Sequence, residues 1–555
     1  MTRESRAATP ERAGQPPAAP PTERLVFHGG VIRTLAADRP VVEALGVIGD
    51  RIAAVGSRSE VEAALTTGDG RRPRPVDLRG GLLLPGFVDS HTHLGSFGLR
   101  LSLVDVDGAR SLEDVCRRVA AFAADLPPGR WVRGGGWNKN AWPGGRFPTR
   151  HDLDRAAPRN PAALNSKDGH TWWVNTEGLR LLGIGRDTPD PPGGEIERDA
   201  DGEPTGILKE NAGMYLAKAV EQPSSEEYAR CMTAAAAAAN RRGLVGVHDM
   251  AGRESLRVYQ ALDRAGVLTL RVWMYLPDEM LPNLSAAGLE GGFGGACVRI
   301  AGIKAFLDGA LGSQTADMLE PYEGSDRRGV TVMPPEVFRD LVARAAAARL
   351  PVAVHAIGDR ANRSALDAFE ASLDASRAAG LRHRIEHAQL FHPDDLPRVG
   401  RLGLVASVQP IHAPSDRDIA DNYWGPRRCG HGAYAWRSLL QTGARLAFGS
   451  DVPVETLDPL QGLYAAVTRR HPEDPSREPW YPEESVSLED AVRGYTVWSA
   501  WAVRAEGERG TLEEGKMADL VVLSEDILGR SDPEVLLRTE VVATLVGGRF
   551  VHGEL

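Results

Sequence analysis

Two histidines near the start of the chain, His91 and His93, have the side-chain type and spacing that can hold a metal ion. In a strand, residues i and i+2 face the same side, so both imidazoles can reach one ion. Such a pair alone is weak evidence, because it is often incidental. Three further residues of ligand type, His355, His387 and Asp451, each follow an apolar, β-branched run. Taken singly, each is as readily a hydrogen-bonded core histidine or a helix-capping aspartate, but together they form a mixed imidazole and carboxylate set that suits Zn²⁺ and similar ions.

The elements that must position these residues are eight apolar, strand-like runs that alternate with Ala-rich helical segments. This rhythm predicts a parallel sheet of an α/β protein, and eight strands close a (β/α)8 TIM barrel. The candidate ligands lie at the C-terminal ends of predicted strands, where barrel enzymes assemble their sites. The runs lie at 85–93, 244–250, 270–276, 299–309, 351–359, 383–390, 404–410 and 444–454.

The 555 residues are too many for one core, since single hydrophobic cores stop growing at about 250–300 residues. Residues 1–22, rich in Pro, Arg and Ala, are predicted to be a disordered tail. Gly-punctuated, strand-like runs at both ends predict a small discontinuous β-sandwich domain from residues 23–82 and 508–555. Residues 83–507 are predicted to form the barrel, with a loop-rich cap inserted after its first strand at about 95–240.

Charge, cysteine content and apolar runs indicate which partners and which cellular compartment to expect. The net charge is -10 and no basic stripe occurs, which argues against nucleic acid or an acidic membrane surface as a partner. A small molecule is the expected partner, and homo-oligomerisation is left open. The four cysteines form no close pairs, and no run is apolar enough for a signal-peptide core or a membrane span. We therefore expect a cytoplasmic protein.

The sequence resembles the amidohydrolase superfamily, and specifically the branch described as YtcJ-like or amidohydrolase family 3. This branch includes N-substituted formamide deformylases. The resemblance spans nearly everything after the tail. It is carried by LPGFVDSHTHL (84–94), GGGWN (134–138), DGHTWWVN (168–175), GILKE (206–210), IKAFLDGALGSQTA (303–316), HAIGDRA (355–361), RIEHAQL (384–390), FGSDVPV (448–454) and GTLEEGKMADLVVL (510–523).

The resemblance implies a role for each candidate ligand. His91 and His93 would be ligands from the first strand, His355 and His387 the ligands after the fifth and sixth strands, and Asp451 the aspartate of the eighth. One or two divalent ions per chain, with zinc favoured, would occupy the site.

In binuclear members of the superfamily a lysine of the fourth strand is carboxylated by CO₂ and bridges two metals, and Lys304 stands at that position here. Burial disfavours the ammonium form and supplies the neutral amine that reacts with CO₂. Two alternatives are open for Lys304 and the bridging group. Lys304 could simply pair with Asp308 or Glu386, and Glu210 in GILKE is a rival bridging carboxylate.

Further residues are predicted to bind substrate, although buried aromatic residues pack more often than they bind. These residues are Trp137, Asp168, His170, Trp172, Asp308 and Gln314.

Three other polar residues in the predicted strands are assigned to the support of the site. His248 departs from the ligand positions of the family and is predicted to be structural. Strand alternation would point Arg384 and Glu386 away from the face that His387 uses, so both are predicted to be supporting rather than catalytic.

The predicted reaction is hydrolysis of an amide-type C–N bond, in an N-formyl or N-acyl amine or a cyclic amide, by attack of a metal-bound hydroxide. Asp451 would accept the proton of the water and deliver it to the leaving nitrogen. Two alternatives stay open. The same site could hydrolyse an ester or lactone or deaminate its substrate, and the same fold could serve a non-catalytic binding or assembly protein.

Overall fold

A computed structural model describes residues 23–66, 72–139, 142–166, 171–191, 194–219, 224–312 and 314–555. Its central element is one sheet of eight parallel strands that follow one another in chain order. Each strand overlaps one of the eight predicted runs, and the predicted (β/α)8 barrel is confirmed. The strands are β1 (Phe87–Thr92), β2 (Leu244–Met250), β3 (Arg271–Pro277), β4 (Val298–Phe306), β5 (Val352–Ala356), β6 (Arg384–His387), β7 (Val405–Val408) and β8 (Arg445–Phe448).

The first and last strands meet where β8 has already ended. Thr92 forms a parallel bridge with Val452, and the backbone N–H of Asp451 donates to the carbonyl of His91 at 2.8 Å. The N–H of His93 in turn donates to the carbonyl of Val452 at 2.9 Å. The sheet therefore closes at its carboxyl edge, and this closure places Asp451 beside the two histidines of β1.

The helices of the barrel pack apolar faces against the strands. The Ala-rich helix Ser225–Arg241 is capped by Ser224, whose side chain forms a capping box with Glu227. Its buried face includes Met232, Ala235 and Ala239. The other helices between and after the strands are Arg253–Arg264, Leu281–Ala286, Pro335–Ala347, Asp359–Ala371, Leu373–Ala378, Leu396–Leu402, His412–Tyr423, Gly425–Gly432, Trp436–Gln441, Pro459–Thr468, Leu488–Gly494 and Val497–Ala502.

Strands from both ends of the chain pair in one sheet outside the barrel. Leu82–Pro85 pairs antiparallel with Leu520–Leu523 in a six-stranded sheet, and a four-stranded sheet shares its apolar core. The domain boundaries themselves stay a prediction. The remaining strands of the six-stranded sheet are Val31–Arg33, Val41–Val42, Val541–Val546 and Arg549–His552. The four-stranded sheet contains Arg24–His28, Ala44–Ile48, Arg51–Gly56 and Arg74–Asp77, and the helices of this region are Arg58–Leu65 and Val535–Arg538.

The segment between β1 and β2 differs from the loop-rich cap that was predicted, because it contains a six-stranded sheet with its own core. The glycines of one strand explain why the sequence pattern did not predict this sheet. At Gly134, in a strand that contains three consecutive glycines, a Cβ would lie 1.9 Å from the carbonyl oxygen of Val104 on the neighbouring strand. Close strand pairing thus requires a residue type that is unfavourable in most strands.

The cap sheet consists of Val104–Asp105, Val132–Trp137, Ala162–Ser166, Thr171–Val174, Gly194–Arg198 and Pro204–Glu210. The helices between β1 and β2 that precede Ser225–Arg241 are Leu94–Leu101, Leu112–Ala124, Arg150–Ala156, Thr176–Leu182 and Met214–Ala219. In the described part of the chain, no helix combines the length and the apolar character needed to cross a membrane.

Candidate metal centre

The carboxyl ends of β1 and β8 bring together His91, His93 and Asp451. One carboxylate oxygen of Asp451 lies 3.5 Å from Nε2 of His91 and 3.3 Å from Nε2 of His93. One ligand-type atom from each of the three residues lies within 4.8 Å of the other two. Two imidazoles and a carboxylate in this arrangement are a donor set for a divalent metal ion.

The orientation of both rings is set by their other nitrogen. Nδ1–H of His91 donates to Oε2 of Glu386 at 2.6 Å, and Nδ1–H of His93 donates to the carbonyl of Met250 at 3.0 Å. Each Nε2 therefore carries a lone pair, as a metal-ligating histidine requires. Nε2 of His91 is buried and has no hydrogen-bond partner in the described residues.

The histidines of β5 and β6 extend this group. Nδ1–H of His387 donates to the side-chain oxygen of Gln409 at 2.9 Å, which leaves Nε2 as its ligand atom. Nε2–H of His355 donates to the carbonyl of Gly309 at 3.0 Å, which leaves Nδ1 instead. The ring centroid of His387 lies 4.5 Å from that of His355 and 4.8 Å from that of His91. The four predicted histidines thus form one continuous cluster.

Lys304, near the end of β4, is buried beside the cluster. Its Nζ lies 4.8 Å from the centroid of the Phe306 ring and has no hydrogen-bond partner in the part of the chain that the structure describes. The contemplated pairing with Asp308 or Glu386 is therefore not formed. Burial lowers the pKa of Lys304 to about 8. The side chain of Glu210, the rival bridging group, lies outside the described residues.

A buried charged layer supports the centre from inside the barrel. The guanidinium of Arg384 pairs with Glu386, with 3.0 Å between Nη2 and Oε2, and Nη1 donates to Nδ1 of His248 at 2.9 Å. Burial by itself raises the pKa of Glu386, but the charges of Arg384 and Lys304 and the hydrogen bonds from Arg384 and Ser407 together hold it below its usual value. Glu386 is therefore an anionic acceptor for the Nδ1–H of His91.

Arg384 and Glu386 point into the barrel, the direction that His387 also takes. Strict alternation would have separated Glu386 from its neighbour His387. The regular strand ends at His387, which has a φ of 69°. Backbone in this left-handed region turns the ring back toward the axis. The local turn at the strand end explains why the alternation argument does not extend to the last residue.

The predicted substrate residues fall in different places. Asp168 and His170 lie outside the described residues. Both oxygens of Asp308 accept hydrogen bonds from backbone N–H groups, including those of Gly358 at 2.8 Å and Ile357 at 3.1 Å, and its side chain is fully buried. This geometry makes Asp308 a support for the loop after β5. The side-chain oxygen of Gln314 accepts a hydrogen bond from Arg327.

The two tryptophans among these predicted residues differ in their surroundings. Trp137 is 2% exposed, its Nε1–H donates to the carbonyl of Leu164 at 3.0 Å, and its ring packs on Trp142 and Trp173. It belongs to the core of the cap. Trp172 is half-buried on a strand of the same sheet, and its indole lies against Gly213.

Sequence reasoning did not single out the residues after β7. Gln409 orients His387, and His412 lies three residues further on, with its ring parallel to that of His387 at a centroid distance of 6.3 Å. The available signal was the position of Gln409 near the end of the predicted run 404–410 and of His412 just after it, since polar residues at the carboxyl end of a barrel strand face the site.

With this geometry in place, comparison with known proteins decides the family. The model of the amidohydrolase family matches residues 74–552. The chain belongs to this family. The protein LONG AFTER FAR-RED 3 of Arabidopsis thaliana is 34% identical over 550 residues, which cover 97% of this chain and 93% of that protein. The N-substituted formamide deformylase of Arthrobacter pascens is 30% identical over 538 residues, which cover 94% of this chain and 97% of the relative.

A solved structure agrees with this assignment. The crystal structure of an uncharacterized metal-dependent hydrolase from Pyrococcus furiosus superposes with a TM-score of 0.75 at 32% identity. The match covers 91% of this chain and all of the other. The resemblance inferred from the motifs is confirmed.

Proposed function

We propose that this family member is a metal-dependent hydrolase that cleaves an amide-type C–N bond of a small molecule, such as an N-formyl or N-acyl amine or a cyclic amide. One observation carries the proposal: in each of His91, His93, His355 and His387, one ring nitrogen donates to a fixed acceptor, which leaves a lone pair on the other. In metal sites, an acceptor for the N–H of the non-ligating nitrogen fixes the orientation of the histidine ring.

The residues fit one or two divalent ions, and zinc is favoured. The unpaired, buried Nε2 of His91 would be costly without a ligand, because a buried polar atom without a partner costs about 1–3 kcal/mol. His91, His93 and Asp451 would hold the first ion, and His355 and His387 the second. A bound ion of this type lowers the pKa of water to about 7 and polarises a carbonyl group.

Asp451 would move the proton. One of its carboxylate oxygens lies 3.5 Å from Nε2 of His91 and 3.3 Å from Nε2 of His93. An aspartate carboxyl with an ordinary pKa of about 3.9 is an anion at neutral pH. It would accept a proton from the attacking water and release it to the leaving nitrogen, which is general acid–base work by one positioned carboxylate.

Lys304 would bridge the two ions as its carbamate. A lysine with its pKa lowered to about 8 is partly neutral at neutral pH, and the neutral amine reacts with CO₂. The absence of an ion-pair partner among the described residues leaves Nζ available for this reaction. The carbamate would add two oxygen donors to the set that holds the ions.

The identity of the scissile bond is supported by the relative from Arthrobacter pascens, which is named an N-substituted formamide deformylase. We assign substrate selection to the cap and a structural role to the sheets formed by the chain ends. We place the protein in the cytoplasm, since its four cysteines are all free.

A substrate panel tests the proposal. Zinc-loaded protein would be offered N-formyl amines, N-acyl amino acids, cyclic amides, esters and lactones, with Asp451→Asn as the matched inactive control. We expect release of amine from at least one C–N substrate by the wild type. Turnover of esters or lactones alone would reassign the bond, and metal-replete protein inactive on every class would favour the non-catalytic alternative.

A further inference from the structure

His412 is a buried polar residue that the proposed ligand set leaves without a role. It is 7% exposed and begins the twelve-residue helix His412–Tyr423, directly after β7. Its ring is stacked on that of His387, with an angle of 8° between the planes and 6.3 Å between the centroids. Through this contact it borders the four-histidine cluster.

The hydrogen bonds of His412 determine which nitrogen is protonated. The side-chain amide of Gln389 donates from Nε2 to Nδ1 of His412 at 3.4 Å. A neutral imidazole that accepts at Nδ1 carries its proton on Nε2. Nε2 is buried and has no partner among the described residues, so its N–H is an unmet donor. Buried donors of this kind are rare in folded proteins and call for an explanation.

The position of His412 at a helix terminus favours an oxygen with negative charge beside its ring. The amino end of a helix carries about half a positive charge, and His412 is the first residue of its helix. The His412 ring is stacked on that of His387, a proposed metal ligand, so it borders the site where a substrate carbonyl would lie.

We propose that Nε2–H of His412 donates a hydrogen bond to the carbonyl oxygen of the scissile bond and to the negative charge that develops on this oxygen during hydrolysis. This inference rests on the proposed function. Removal of one such donor from an enzyme lowers kcat by about 10²–10³-fold, because the bond strengthens as the charge forms. Gln389 is then a positioning residue that acts through the His412 ring.

The test compares zinc-loaded wild type with His412→Phe and His412→Gln. The phenylalanine keeps a ring on His387 without a donor, whereas the glutamine amide can place an N–H near the position of Nε2. Elemental analysis gives the zinc content, and calorimetric titration with methylphosphonate, a small tetrahedral anion, gives the affinity. We expect unchanged zinc in both variants. The affinity should fall about 10- to 100-fold in His412→Phe and should be partly retained in His412→Gln.

Each contrary outcome is distinct. Equal methylphosphonate affinity in wild type and His412→Phe, or no measurable binding to the wild type, overturns the inference. Zinc loss from a folded His412→Phe variant also overturns it and makes His412 a metal ligand. Should this variant not fold, Gln389→Leu replaces it, and an unchanged affinity there overturns the inference. A wild type that holds no zinc overturns the proposed function together with this inference.

Discussion

The barrel mouth and the cap both bury large, polar-tipped side chains, but they treat the polar atoms differently. In the cap, Nε1–H of Trp137, Trp142 and Trp173 donates to backbone carbonyls at 3.0, 3.1 and 2.8 Å. At the mouth, Nε2 of His91 and Nζ of Lys304 are buried without a partner among the described residues. Buried polar atoms with hydrogen-bond partners are compatible with a stable core. Buried polar atoms without partners lower stability, and we expect them where a bound ligand supplies the missing partner.

Metal removal should have the largest effect on activity and stability. The unpaired atoms of the barrel mouth would lose their ligand, whereas the cap would keep its hydrogen bonds. We expect between one and two divalent ions per chain by elemental analysis and complete loss of hydrolysis after chelation. The melting temperature should also fall, since a metal that binds only the folded state stabilises it.

Restoration of activity by zinc serves as the control for irreversible damage. Full activity in protein with less than about a tenth of an equivalent of metal would contradict a metal-dependent reaction.

Asp451→Asn should have the next largest effect, since it keeps an oxygen near His91 and His93 but removes the proton acceptor. Most metal should remain bound, and kcat should fall by about 10²–10⁴-fold, the contribution of general acid–base catalysis. Steady-state kinetics and elemental analysis on the same preparation separate the two effects. A variant that binds metal normally and retains more than about a tenth of wild-type kcat would exclude Asp451 as the base.

Lys304→Ala should remove the bridging group. Loss of a residue that only hydrogen-bonds to a metal ligand typically lowers metal affinity or activity about 10–100-fold, and the loss of activity in Lys304→Ala should be larger. Short carboxylic acids with added metal should restore part of the activity. Lys209→Ala is the matched control, because Lys209 is less buried and pairs with Glu195 and Glu197 at 2.9 and 3.2 Å. A free ammonium at Lys304 in active, metal-replete protein would rule out the carbamate.

Prediction from sequence succeeded where local patterns carry the information. The strands of the barrel are apolar, β-branched runs, and His355 and Asp451 lie at or just beyond the carboxyl ends of two of them, so their convergence follows from the topology. The acceptors that orient the histidines were not predictable, because the carbonyls of Gly309 and Met250 carry no residue-specific signal. Glu386 was assigned to a supporting role, but its bond to His91 joins two strands 295 positions apart.

The cap escaped prediction for a related reason. Its glycine-rich strand, Val132–Trp137, lacks the β-branched residues that indicate a strand, and close contact with a neighbouring strand requires those glycines. Trp137 was predicted to face substrate because aromatic residues suit both cores and binding sites. Only the packed structure separates these uses, by the partners of the indole N–H.

The smallest effect is expected at the cap, where Trp172→Ala and Trp137→Ala form a matched pair. Trp137 is 2% exposed in the core of the cap, so its truncation should cost about 3–5 kcal/mol of stability, as large-to-small changes of buried tryptophan do. Trp172 is only half-buried, and we expect its truncation to raise KM about 10-fold at most and to alter substrate preference, with metal content unchanged. Thermal melting, elemental analysis and kinetics on several substrates check both variants. Equal destabilisation by the two changes, with no difference in substrate preference, would assign Trp172 to the cap core and place substrate selection elsewhere.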